Sequence, residues 1–190
     1  MKPMLTNRLL PLLALSLAAT AQPVTFTLDP AQTQVHFRVD STLHTVHGTF
    51  KLKSGSFSFD PATHSVSGAA VIDVTTGDSG SGARDARMHK EVLQSAKYPE
   101  AVFTVERLES PFALPAPNQE IHLAGSFSIH GATHPMTLVI RTRADAGKLI
   151  ATTSFDVPYV AWGMKNPGNF LLKVDNTVHF EIDAVLESAP

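Results

Sequence analysis

Along most of this chain, apolar residues recur at every second position, a period that only an extended strand turns into one continuous apolar face. Val35, Phe37 and Val39 alternate with His36, Arg38 and Asp40, and Val46, Phe50 and Leu52 alternate with His47, Thr49 and Lys51. Further on, Ile121, Leu123, Phe127 and Ile129 oppose His122, Ser126, Ser128 and His130, and Val178, Phe180, Ile182 and Leu186 oppose His179, Glu181, Asp183 and Glu187. Each run reads as a half-buried strand, and the register of the last is firmly set, because a slip of one residue would turn its apolar set to water. At Gly55 the parity changes, since Phe57 and Phe59 come next, and this predicts a glycine bulge in a long strand.

The connections fit the same pattern. Asp60-Pro61-Ala62-Thr63-His64 carries turn chemistry and leads into a strand over 66–74. A short turn at Gly131-Ala132 makes a hairpin of the runs 121–129 and 136–140. One segment departs: residues 84–93 are rich in helix formers, with Met88 and Val92 four apart on one side, and predict a single short helix. Pro111, Pro115 and Pro117 mark an extended surface loop rather than a domain linker, because strands of one pattern lie on both sides. About eight antiparallel strands with one helix imply an all-β domain, a closed barrel or a sandwich, and an eight-strand barrel has room for one ligand.

Composition restricts where such a domain works. Lys2 and Arg8 precede the apolar run 9–19, and Ala19-Thr20-Ala21 offers small residues for a signal peptidase, so residues 1–21 read as an export signal and 22–190 as one mature domain, periplasmic or secreted. The run holds Pro11 and Ser16 and is shorter than the roughly 20 apolar residues of a membrane span, which argues against a permanent anchor. With no cysteine, disulfides, thiolate metal sites and a cysteine nucleophile are excluded, and the core alone must stabilise the fold. A formal net charge of −2 without charge blocks lacks the basic footprint of a nucleic-acid binder.

Candidate sites are few. Nine histidines raise a metal or haem site, above all His44-x-x-His47 and His130-x-x-x-His134, but His36, His47, His122, His130 and His179 share the polar phase and His64 lies in a turn, so surface histidines are expected and no metal site or cofactor is assigned. Ser79 and Ser81, in the loop Thr76-Gly77-Asp78-Ser79-Gly80-Ser81-Gly82, do not form a GxSxG elbow, and no catalytic residue is assigned. The loop could instead offer amides to an anion, or simply open the helix. Arg84 and Asp85 are head-group candidates, although a charged pair in a first helical turn commonly just caps it. Tyr159 and Trp162 suit either a cavity entrance or core packing.

Several blocks resemble the YceI-like family of exported lipid-binding proteins. They are Leu28-Asp29-Pro30-Ala31 with Val35-x-Phe37, then Thr45-Val46-His47-Gly48-Thr49-Phe50, Arg84-Asp85, Lys97-Tyr98-Pro99-Glu100-Ala101-Val102-Phe103, and the block 125–136. The chain departs from the family's pattern at Gln32-Thr33, at Arg87, where a histidine is frequent, and at Trp162-Gly163-Met164-Lys165-Asn166-Pro167. The resemblance implies a lipocalin-like barrel holding a polyisoprenoid, such as a quinone tail or a polyprenyl phosphate. On that basis the apolar phase supplies the expected lining: Val35, Phe37, Phe50, Leu52, Phe103, Phe127, Ile129, Leu138, Phe155 and Phe180, with Trp162 beside them. Expected partners are an isoprenoid or other long-chain lipid, transiently a membrane or membrane cytochrome, and a second copy in a homodimer. A metal- or haem-binding protein, or an enzyme using the cavity, is the alternative.

Overall fold

The computed structural model describes residues 22–111 and 114–188; the segment read as an export signal lies outside them. The strands are β1 (Val24–Leu28), β2 (Gln34–Val39), β3 (Val46–Asp60), β4 (Ser65–Asp78), β5 (Glu100–Leu108), β6 (Glu120–Ile129), β7 (Ala132–Asp145), β8 (Lys148–Val157) and β9 (Val178–Ser188). All pairings are antiparallel, and the sheet closes on itself as an eight-strand barrel with one short helix. The nine strands fill eight places because β1 and β2 lie end to end. Both pair with β3 on one side and β9 on the other, β1 near Phe59 and Leu186, β2 near Phe50 and Phe180. Asp29 pins the break between them, accepting the Ala31 amide through its side chain and the Thr33 amide through its carbonyl.

The alternation translates into inside and outside as expected, with two local differences. The register shift in β3 falls at Lys53 rather than Gly55. Lys53 and Ser54 both face solvent, and that pair of outward residues restores the inward phase. Gly55 faces in beneath Leu28, where a Cβ would sit 2.5 Å from Leu28 Cδ1; its role is close approach, not bulging. The β6–β7 turn is His130-Gly131, both at positive φ (53° and 78°), and Ala132 already pairs with Ile129. Two residues with φ > 0 match the twist of a two-residue hairpin.

The helical segment starts two residues earlier than its composition suggests: α1 (Gly82–Arg87) continues into a π-helical turn, Met88–Leu93, which ends at Gln94 in the left-handed conformation. Wider winding lets Met88, Val92 and Leu93 all reach the barrel interior. The segment presses on the end of β4 at Gly77, where a Cβ would lie 2.6 Å from Phe50 and 2.8 Å from Met88. Among the described residues, no helix is long and apolar enough to cross a membrane.

On one flank the barrel wall thins. β8 pairs with β7 only from Ile140 to Asp145, so residues 132–139 of β7 have β6 alone as neighbour. Pro135 sits in that stretch, where its missing N–H removes no second ladder. The gap is filled by the loop after β8: Trp162 stacks on His134 with centroids 4.0 Å apart and planes 3° apart, and lies 6.1 Å from Phe127.

Candidate lipid-binding chamber

Two cavities lie along the barrel axis. The narrow one, about 100 Å³, is lined by Leu52, Phe103, Phe127, Leu138, Phe155 and their neighbours from the β1 end of the barrel, and none of its lining residues is exposed. The proline loop lashes that end down: the Thr142 hydroxyl donates to the Ala116 carbonyl and accepts the Gln119 amide, and the Asn118 amide donates to the Thr142 carbonyl. The wide one, about 470 Å³, lies under the helical segment at the opposite end. Phe37, Phe50, Ile129, Val157 and Phe180 form its floor and walls, and Met88, Val92 and Leu93 its roof. Exposed His44, Ala83 and Arg87 are part of its lining, so it opens to the surface there.

Phenylalanines stand between the chambers. Phe37 and Phe50 are 5.2 Å apart, Phe50 and Phe180 6.2 Å, Phe180 and Phe155 5.4 Å in a stack, and Phe155 and Phe127 5.8 Å. Each of these spacings lies within the range of favourable aromatic pairs. The layer is thus a packed apolar partition between the two chambers.

The polar side chains of the wide chamber's lining are Ser41, His44, Ser79, Ser81, Arg84 and Arg87, with Tyr159 on the inner wall. Arg84 is committed locally: its Nε donates to the Ser79 hydroxyl at 2.7 Å and Nη2 to the Ser79 carbonyl at 2.6 Å. Asp85 points away from the chamber lining and accepts both the Ser79 hydroxyl and the Ser79 amide (2.9 Å). Burial opposes its charge, but these hydrogen bonds and the Arg84 charge outweigh it, holding the carboxyl below its ordinary value. Arg87 is the less constrained cation, with Glu91 at 3.6 Å. On the inner wall Tyr159 donates to the Asp175 carbonyl at 2.8 Å, and burial, with the Asp175 charge, pushes its pKa up to about 12.

Of the residues expected to line a cavity, Phe37, Phe50, Ile129 and Phe180 line the wide chamber, and Leu52, Phe103, Phe127, Leu138 and Phe155 the narrow one. Val35 is 1% exposed but touches neither, packing between them, and Trp162 closes the flank instead. Arg87 and Met88 were not singled out for the chamber. Their signal was spacing, since Arg84, Arg87 and Met88 lie three and four apart on one helical face.

Within the glycine-rich loop the Ser79 amide goes to Asp85 and the Gly80 amide to Asp78. Ser79 has no histidine base, since His89 turns one ring nitrogen to the Gly77 carbonyl and the other to Ser95. His130 departs from the outward phase expected of it, and His134, to which no phase was assigned, turns inward. His134 follows the inward phase of β7, and His130 lies in the turn with its ring 4.7 Å from Tyr98; both bury an unpaired Nε2. Burial and the Lys97 charge lower the pKa of His130. Among the described residues, no three histidines or carboxylates gather as a metal site.

No curated protein matches this chain in sequence. Solved structures do match its fold. BcnA of Burkholderia cenocepacia aligns over 83% of this chain and 98% of its own at 18% identity, with a TM-score of 0.66. A polyisoprenoid binding domain from Saccharophagus degradans, implicated in plant cell wall breakdown, aligns over 86% and 98% at 16% identity and the same TM-score of 0.66. The Campylobacter jejuni YCEI protein covers 97% of this chain and 94% of its own at 13% identity, with a TM-score of 0.55. The family profile of the YceI-like domain matches residues 26–186, nearly every residue of the barrel, and the chain therefore belongs to the YceI-like family.

Proposed function

We propose that this is an exported carrier or sequestering protein that holds one long apolar lipid in its barrel, a polyisoprenoid such as a quinone tail or a polyprenyl phosphate, and that it performs no catalysis. The observation that carries this reading is the wide chamber: about 470 Å³, lined mainly by apolar side chains with a few polar groups, most of them on the helical segment and the loops beside it. Pockets that hold drug-sized molecules have this size and this distribution of polarity. The polyisoprenoid binding domain of similar fold supports the same ligand class.

Magnitudes favour the tail over the head group. A buried methylene contributes about 0.8 kcal/mol, so a tail of about four five-carbon units supplies on the order of 12 kcal/mol before association costs. Micromolar binding requires only about 8 kcal/mol. Affinity then belongs to Phe37, Phe50, Ile129, Val157 and Phe180, while Arg87 and the rim serines select among head groups. A tail that outgrows the wide chamber continues past the phenylalanine layer into the narrow one.

Native mass spectrometry of protein purified from its own exported fraction, followed by organic extraction, tests the proposal. One isoprenoid or other long-chain lipid per chain is the expected result. Protein that carries none, and that takes up neither added quinones nor polyprenols, would overturn it.

A further inference from the structure

Leu43, Phe170 and Leu171 are 75%, 96% and 84% exposed, the large apolar side chains left in solvent among the described residues. Single apolar residues scattered over a surface are ordinary, but these three belong to one rim. Leu43 follows Thr42, whose amide donates to the Lys173 carbonyl, and Ser41 bridges to Val174. The two loops are therefore tied together beside the wide chamber, which Ser41, His44, Pro167, Leu172 and Val174 help to line. The tip is an ordered turn, because the Asn169 side chain accepts the amides of Leu171 and Leu172 at 2.9 and 2.8 Å. Phe170 and Leu171 are thus held out in water at the opening of an apolar chamber.

Charge separates a lipid occupant from a protein one. From residue 41 to 47 and from 166 to 174 there is no carboxylate, and the one fully charged side chain is Lys173. Arg84 and Arg87 lie on the same chamber's lining. The acids Asp40 and Asp175 flank these segments in the chain; the Asp40 carboxylate accepts the Thr45 hydroxyl, and the Asp175 amide donates to the Asp40 carbonyl. Apolar prongs with Lys173 two residues on and the chamber arginines nearby suit the interface of an anionic bilayer, where apolar groups enter the acyl boundary and lysines meet phosphates.

We propose that this rim is a bilayer-docking surface: Leu43, Phe170 and Leu171 enter the interfacial layer of an anionic phospholipid membrane while Lys173 meets its phosphates. The wide chamber then opens onto lipid, and an apolar ligand passes between membrane and barrel without crossing water. The purpose of the docking rests on the lipid-carrier reading, whereas the docking itself is measurable without any ligand.

The test is flotation of the protein with vesicles of phosphatidylcholine, alone or mixed with phosphatidylglycerol, alongside the double variant F170S/L171S and Lys173→Gln. These side chains are exposed, so circular dichroism should show the same fold in every variant. The wild type should float with the mixed vesicles, and F170S/L171S should lose at least about tenfold in partitioning. Lys173→Gln should lose about fivefold on mixed vesicles and nothing on phosphatidylcholine alone. Wild type that stays in the dense fraction, or F170S/L171S that floats equally, overturns docking. So does a dimer in solution that the double variant dissolves, because a second copy then covers the rim. Vesicle binding by protein that carries no extractable lipid would sustain docking while the carrier reading fails, and the converse would separate them the other way.

Discussion

The two ends of the barrel are built from the same alternating strands yet behave as opposites. At the β1 end, side chains fill the interior, the proline loop ties across, and about 100 Å³ is left between residues that are all shielded from solvent. At the helix end the strands separate, a π-helical turn serves as the roof, and about 470 Å³ stays open beneath it. Strand pairing is therefore not what makes the chamber. What covers each end decides whether the apolar phase becomes core or binding surface: side chains and a laced loop at one, a helix held by three polar residues at the other.

This contrast is open to a direct challenge by truncation. Leu123 is 1% exposed and borders the narrow chamber, so Leu123→Ala should cost about 2–5 kcal/mol in urea denaturation. Met88→Ala, in the roof of the wide chamber, should cost under about 1.5 kcal/mol, because it removes atoms that already face a void, and should weaken lipid uptake instead. Equal costs at the two positions would mean that the ends do not differ as described.

A smaller effect probes what holds the roof. Asp85→Ala removes the acceptor of the Ser79 hydroxyl and amide and releases Arg84, which should cost about 1–3 kcal/mol and raise amide exchange across residues 82–93 while leaving β6 protected. The pH dependence has a definite sign. Because the folded carboxyl titrates below its ordinary value, its contribution is present above about pH 4 and fades as pH falls through the lower folded value. Protection of the roof amides, relative to their intrinsic exchange at each pH, should fall in acid in the wild type, and the variant should lack that component.

The smallest effect sharpens the rim. Arg87→Gln should weaken a polyprenyl phosphate several-fold, on the order of 1 kcal/mol, and leave an uncharged polyprenol unchanged in a competition assay. Equal loss for both ligands would make Arg87 a structural residue of the roof.

Much of this architecture was legible from residue spacing. The alternation in 35–39, 121–129 and 178–186 carries the inside and outside of three strands because period two has one structural meaning. Nearly all the apolar residues it placed inward border one of the two chambers, yet the same pattern could not divide them. Phe50 and Leu52 are both inward and only two residues apart, but the first faces the wide chamber and the second the narrow one. That division depends on the phenylalanine layer, a contact among β2, β3, β6, β8 and β9 that no local window contains.

Position along a strand was legible only to within a residue or two. Gly55 looked like the bulge because glycine tolerates one, whereas the shift lies at Lys53 and the glycine makes room for Leu28. His134 shares the parity of Met136 and Leu138, the inward set of its own strand, yet its place there was not drawn from the pattern. With His130-Gly131 as the turn, it falls inward and becomes the platform for Trp162.

The end-to-end arrangement of β1 and β2 has a consequence for how the chain reaches this state. The strand place that seals the cylinder is supplied by the first forty residues, and one of its two neighbours, β9, comes from the last stretch of the described chain. The seam therefore waits for residues 178–188 to join the sheet, and until then β2 and β8 keep raw edges that invite pairing with other chains. Closure is a zip between the two ends of the barrel's chain, and anything that shields those edges beforehand guards against misassembly.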